Sequence, residues 1–392
     1  MSDLKDVSVE SDHDRYHRQT LISWWDQDVL AGAKVIVVGA GALGNELVKN
    51  LALVGIGQIT LVDLDRIENS NLSRCVFFRR EDEGEFKADV LARRAMEMNP
   101  EIVVTPVVGD VRLTLGLGAF KDADLVLGGL DNREARMYVN QACWKTSTPW
   151  VDGAIEGLMG VARVFVPPHT ACYECTMTER DHELISQRRA CSLLSMDEML
   201  EGKVPTTATS SSVIAGIQVQ EAVKLLHRDR LGEPELAGAG YCFVGLTHDS
   251  YVVRYQRNED CFAHDTYDMN NLRPISADTT FGEVLDLVAD ELGSNALVDL
   301  EHDILLSVTC ESCDETRQVN QPMDALTEGE GACPSCSEEM RLEMTHTVTR
   351  ESPLLEMCPE DLGLPAEDVL AVRGGEDGMQ RLFFLTGQAV AA

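Results

Sequence analysis

Lys34-Val-Ile-Val-Val38 runs directly into Gly39-Ala-Gly41-Ala-Leu-Gly44. A short β-branched run stopped by glycine reads as a buried parallel strand. The glycines form G-x-G-x-x-G, and helical periodicity follows over 45–54. In that setting backbone N–H groups can approach a phosphate at a helix N-terminus. The next apolar run, Gln58-Ile-Thr-Leu-Val62, ends at Asp63, 24 residues after Gly39. A carboxylate there can hold ribose hydroxyls. The plainer reading of the glycines is a packing turn. Strand, helix and acid together favour a nucleotide site.

Working outward, residues 13–33, 86–99, 134–146 and 208–226 read as helices. Strands are expected over 102–108, 124–127, from Trp150 onward and over 161–166, with paired strands across 241–255. Alternating strand and helix predicts an α/β, doubly wound, Rossmann-like domain. Composition changes near 258–274, which divides the chain into 1–268 and a smaller α+β unit, 269–392. That unit opens with a helix over 281–292, followed by short strands.

The 392 residues carry 66 acidic and 33 basic side chains, a net charge of −33. Such a chain lacks the basic face of a sequence-independent nucleic-acid binder and is ill suited to anionic lipid. No apolar run approaches a membrane span, and Met1 to Asp12 does not resemble a targeting signal. A cytoplasmic protein is expected, with no nucleic-acid or membrane partner. Residues 273–392 hold 25 acidic and 6 basic residues and no Lys. This is either a solvated acidic surface, as in salt adaptation, or a docking module for a basic partner.

Cys172/Cys175, Cys310/Cys313 and Cys333/Cys336 are each C-x-x-C. In a cytosolic chain this spacing reads as zinc before disulfide. The last two knuckles, 19 residues apart, form a zinc-ribbon signal. Four protein ligands leave no open position, so the metal there is structural.

The glycine loop alone would suggest a dinucleotide cofactor. The residues beyond Asp63 argue otherwise. Asp65, Asn69-Ser-Asn71-Leu-Ser-Arg74 and Lys87 come next, and later Gly129-Leu-Asp131-Asn132-Arg-Glu-Ala-Arg136. Hydride transfer has no use for converging cations beside a strand-end acid. A triphosphate with Mg²⁺ does.

Taken in order, Arg15-Tyr-His-Arg18-Gln19, the glycine loop, Asp63-Leu-Asp65, Ser70-Asn71-Leu-Ser-Arg74 and Asp131-Asn132 resemble the adenylation domain of ubiquitin-activating enzymes. The bacterial ThiF, MoeB and HesA adenylyltransferases are relatives. The resemblance covers about 13–265. It implies ATP as substrate, with Gly39, Gly41, Gly44, Asp63, Asp65 and Asn132 in the nucleotide site and Asp63 on the ribose. Asn71, Arg74 and Lys87 would contact phosphates. Asp131 would bind Mg²⁺ and help orient the reacting carboxylate. Arg18 would reach the phosphates of a partner subunit, which implies a homodimer. Taken singly, each residue would more simply be a surface or capping group. Cys75 stands where the family has Gln and is read as an inert thiol. The loop 79–85 is more charged than expected.

The run from Pro149 through Gly157 and Arg163 to Cys172-Tyr-Glu-Cys175 looks closer to catalytic subunits that activate ubiquitin-like modifiers than to sulfur-carrier enzymes. Cys191 lies about where such subunits place the thioester-forming cysteine. Arg188 and Arg189 would favour its thiolate, though an ordinary cysteine is the simpler reading. In the family a second C-x-x-C follows the domain. Here the matching place is Cys261-Phe-Ala-His264, which implies a second structural zinc site of Cys172, Cys175, Cys261 and His264, with Cys242 in reserve. The expected function is bacterial-type activation of a ubiquitin-like protein, with transfer to a conjugating enzyme. The acidic C-terminal unit could recruit either partner. Alternatives are an adenylyltransferase for a sulfur carrier, a non-catalytic zinc scaffold and, more distantly, a dinucleotide-dependent oxidoreductase.

Overall fold

The computed structural model describes residues 14–178, 180–181, 205–326, 331–375 and 378–387. An eight-stranded sheet runs in the order β3-β2-β1-β4-β5-β6-β7-β8. Its strands are β1 (Lys34–Val38), β2 (Gln58–Asp63), β3 (Val103–Val108), β4 (Leu125–Gly128), β5 (Trp150–Glu156), β6 (Met159–Phe165), β7 (Ala239–Val244) and β8 (Asp249–Arg254). The first five pair in parallel and β6 to β8 antiparallel. The central strands are mostly apolar, as in Val35–Val38 of β1 and Leu125–Leu127 of β4, because helices cover both faces. Leu43, Leu47 and Leu51 from one helix and Ile214 and Ala215 from another pack on one face. Phe120, Val139 and Trp144 pack on the other.

The chain order reverses between β1 and β4, and ligands of doubly wound sheets bind outside such a switch point. The glycine loop lies there, ahead of the Ala42–Val54 helix. That helix ends at Gly55 in a left-handed C-cap. The Ala208–Leu226 helix has the predicted bounds, with Thr207 capping its start. Residues 13–33 do not form one helix. They give two short ones, His17–Thr20 and Gln27–Gly32, because Asp26 is extended and accepts from the Asp28 amide.

The remaining strands form a six-stranded sheet, β11-β10-β13-β14-β9, with β12 also on β10. They are β9 (Arg273–Ser276), β10 (Leu297–Cys310), β11 (Glu315–Pro322), β12 (Arg341–Val348), β13 (Val369–Gly374) and β14 (Met379–Thr386). The expected helix over 281–292 is split at Val288 into Phe281–Leu287 and Ala289–Leu292. The strands are not all short either. β10 runs 14 residues, with register shifts that let it pair β12, β11 and β13 along its length. Val369, Ala371 and Leu382 of this sheet pack into the same core as Phe120 and Trp144 of the first unit. No helix among the described residues is long and apolar enough to cross a membrane.

Candidate adenylating site and metal centres

Gly39 has φ +98°, and a Cβ there would lie 2.6 Å from the Gly129 carbonyl oxygen. Only glycine allows both the left-handed backbone and this approach. Asp63, at the end of β2, holds the glycine loop. Its Oδ2 accepts from the Ala40 amide at 2.7 Å and its Oδ1 from the Asp65 amide at 2.8 Å. Burial pushes its carboxyl pKa up, while the Lys87 charge and the Ala40 N–H pull it back. Lys87 Nζ donates to Asp65 Oδ2 at 2.7 Å. Burial lowers the Lys87 pKa, but Asp63 and Asp65 more than reverse this, so the ammonium stays charged. A buried cation thus sits ready beside the loop.

Asn71 is buried, and its Oδ1 accepts from the Glu68 amide at 2.9 Å, closing a capping box on the Asn69–Ser73 turn. Arg74 is half-buried and donates to the Ser70 carbonyl at 2.7 Å. Arg74, Lys87 and Asp63 all act electrostatically on Cys75. Burial pushes the Cys75 thiol up to about 11, so it is inert. Asp131 is exposed just beyond β4. Asn132 caps the Arg133–Thr146 helix, accepting from the Ala135 amide at 2.7 Å. The fold therefore gathers Gly39, Gly41, Gly44, Asp63, Asp65, Asn71, Arg74, Lys87, Asp131 and Asn132 around the ends of β1, β2 and β4.

Arg18 does not join them. It is exposed, and its neighbour Gln19 donates to Leu53 O at the far end of the Ala42–Val54 helix. Thirteen residues place the two ends about 20 Å apart. Cys191, with Arg188 and Arg189, lies outside the described residues.

Sequence reasoning overlooked the residues that hold this crevice together. Asn45 is fully buried; its Nδ2 donates to Ala40 O and its Oδ1 accepts from the Phe77 amide. It ties the glycine loop to the Asn71–Phe78 loop. Gln218 donates to Gly128 O and Val151 O. Asp152 is fully buried between Arg136 Nε at 2.9 Å and Arg163 Nη1 at 2.7 Å. No signal in the local sequence marks them, because a solvated polar side chain at these positions would read the same.

Cys172, Cys175, Cys261 and His264 bring one ligand atom each to within 4.8 Å of one another. Cys172 Sγ lies 3.6 Å from both Cys175 Sγ and Cys261 Sγ, and Cys175 Sγ lies 3.3 Å from His264 Nε2. Disulfides need about 2 Å, whereas tetrahedral zinc with bonds near 2.3 Å sets sulfurs about 3.8 Å apart. The Asn258 amide donates to Cys175 Sγ, and Trp144 stacks on His264 with centroids 4.8 Å apart. Cys310, Cys313, Cys333 and Cys336 form a second such group. Both groups could hold zinc, with the ligands anticipated from the sequence. Cys242 is in neither.

A model of the ThiF family matches residues 16–263. The NEDD8-activating enzyme E1 catalytic subunit of Schizosaccharomyces pombe is 40% identical over 150 residues, covering 37% of this chain and 34% of that protein. The SUMO-activating enzyme subunit 2 of Dictyostelium discoideum is 38% identical over 149 residues, covering 38% of this chain and 22% of that protein. The chain thus spans about a third or less of the length of these curated relatives. Among solved structures, E. coli MccB with ATP superposes with a TM-score of 0.54 at 25% identity, covering 66% of this chain and 75% of that chain. MccB with AMPCPP and MccA gives 0.53 at 25% identity, covering 65% and 75%.

Proposed function

The chain belongs to the ThiF family, and from that premise we propose that it activates the C-terminus of a ubiquitin-like protein by adenylation. The observation that carries this is the crevice between β1 and β4, where a glycine loop with left-handed backbone at Gly39, a strand-end carboxylate and a buried lysine converge. A carboxylate oxygen of the modifier attacks the α-phosphorus of ATP; an O–P bond forms, the bond to the leaving pyrophosphate breaks, and an acyl-adenylate results. Lys87 and Arg74 offset the phosphate charge, and Asp63 orients the ribose. Holding both reactants in one crevice supplies much of the rate. Asp131, exposed at the mouth, would hold Mg²⁺, which supplies further charge neutralisation.

In the second step the Cys191 thiolate attacks the activated carbonyl. A thioester forms, AMP leaves, and the acyl group passes to a conjugating enzyme. The names of the relatives, activating enzymes for NEDD8 and SUMO, support this step. The position of Arg18 supports a homodimer. Its neighbour Gln19 contacts the end of the Ala42–Val54 helix about 20 Å from the glycine loop, so Arg18 would serve the phosphates of a second copy rather than its own.

One observation favours a second reading, adenylation without a thioester. The likeness to MccB covers three quarters of that chain, far more than the share covered of the activating enzymes. The test is incubation with ATP, Mg²⁺ and a candidate modifier. Pyrophosphate exchange with a thiol-sensitive adduct that disappears in Cys191→Ala supports the full proposal. Exchange without an adduct supports the second reading. Neither exchange nor ATP binding would leave a zinc scaffold.

A further inference from the structure

The Arg133–Thr146 helix links the nucleotide crevice to the first metal centre. Its N-terminus carries Asp131 and Asn132. Arg136 reaches the buried Asp152. Asn140 Oδ1 accepts from the Tyr173 amide at 2.9 Å, and Gln141 donates to Glu174 at 2.9 Å, holding the first cysteine knuckle. Its outer side and C-terminal end, however, rest on the C-terminal unit. Tyr138 stacks on His302 with centroids 5.9 Å apart and planes at 24°. Lys145 pairs with Glu301, which also accepts from Tyr267 Oη at 3.2 Å. His302 is buried, and the side chains of Lys145 and Glu301 are 14% and 17% exposed, so these are desolvated contacts rather than surface pairs.

The seam continues beside the helix. Asp368, fully buried, accepts from the Leu117 amide at 2.9 Å, and the Gly118 amide donates to Glu367 O at 2.8 Å. A Cβ on Gly116 would lie 2.7 Å from the Asp368 backbone, and one on Gly118 would collide with the Glu367 carbonyl. The two backbones meet only because both positions are glycine. Val369, Ala371 and Leu382 then fill the core that this helix lines.

We propose that the C-terminal unit is a fixed seat for the Arg133–Thr146 helix and so positions Asp131 and Asn132 at the nucleotide crevice. Its residues touch no substrate; they act through the helix. A shift of about 1 Å at a reacting centre can cost about a hundredfold in rate. A helix held at Tyr138 and Lys145 transmits such a shift to its cap as a rigid rod. The catalytic consequence rests on the adenylation reading, whereas the mechanical one does not.

The test uses two variants of the full chain. Gly118→Val wedges the seam open. Glu301→Gln removes the charge partner of Lys145 while keeping its volume, and remains informative if the first variant fails to fold. Amide hydrogen exchange of residues 133–146 is compared with that of the Ala42–Val54 helix. Exchange at 133–146 should quicken at least about tenfold, with 42–54 unchanged. ATP–pyrophosphate exchange should fall about fivefold or more in kcat, with the KM for ATP within about twofold. Unchanged protection of 133–146 in variants whose 258–272 connection has become protease-sensitive would overturn the proposal. If the unsubstituted protein shows no pyrophosphate exchange, the adenylation reading fails, and the protection of the helix still decides whether the seat exists.

Discussion

Gly39 and Gly129 meet backbone to backbone where β1 and β4 end, with the Gly129 amide donating to Val38 O at 2.8 Å. A side chain at Gly39 must displace the Gly129 carbonyl and adopt φ +98°. Gly39→Ala should therefore cost about 1–3 kcal/mol of stability and weaken ATP binding at least about tenfold. Urea unfolding and ATP titration check both. Wild-type affinity in Gly39→Ala would remove the loop from the nucleotide site.

Arg18 lies near the far end of the Ala42–Val54 helix from the glycine loop and Asp131, so in the proposed homodimer each site would draw on both chains. Arg18→Ala and Asp131→Ala should each abolish pyrophosphate exchange. Mixed and allowed to exchange subunits, they should recover about a quarter of wild-type activity, since half the dimers then carry one intact site of two. No recovery after verified subunit exchange would count against action across the interface.

Cys172 and Cys261 come from segments 89 residues apart yet place their sulfurs 3.6 Å from each other. Metal analysis should find about two zinc ions per chain. Cys261→Ser should lose one and destabilise the protein by at least about 3 kcal/mol, because metal binding there is folding free energy. Cys333→Ser should lose the other ion and leave ATP affinity within about twofold. Full zinc content in either variant would contradict the ligand assignment.

Burial pushes the Asp368 carboxyl up to about 6, against 3.8 in its ordinary range, and the Leu117 amide only partly offsets this. The folded state thus binds the proton more tightly than the unfolded chain. Stability contributed by this proton is complete below about pH 4 and is lost as pH rises through 6, by about 3 kcal/mol. Asp368→Asn keeps an acceptor for Leu117 and carries no charge. It should flatten the pH dependence of Tm between 4 and 7 and raise Tm at pH 7. An unchanged profile would mean that the carboxyl titrates normally.

Much of the crevice was legible in the sequence because its chemistry is local. Gly39, Gly41 and Gly44 sit within one turn, and Asp63 follows one strand later. The two groups that could hold zinc were legible for the same reason within each knuckle; joining Cys175 to His264 needed the resemblance. The polar residues Asn45, Asp152 and Gln218 were not legible. Nothing near them in sequence distinguishes a buried hydrogen-bonding strut from a solvated side chain, since the segments they tie in, at Phe77, Arg163 and Val151, lie 32, 11 and 67 residues away.

By itself, then, the sequence determined the alternation of strands and helices, the glycine loop with its strand-end acid, and the cysteine spacings. Each is set by neighbours along the chain, through backbone sterics and side-chain periodicity. Only the tertiary structure decided that Lys87 sits beside Asp65, that Arg18 lies a helix length from its own loop, and that the acidic C-terminal unit is seated on the Arg133–Thr146 helix. Those relationships depend on desolvation and close backbone approach between segments far apart in the chain. The glycines at 116 and 118 permit such an approach and give no sign, in sequence, of the 366–368 turn that fills it.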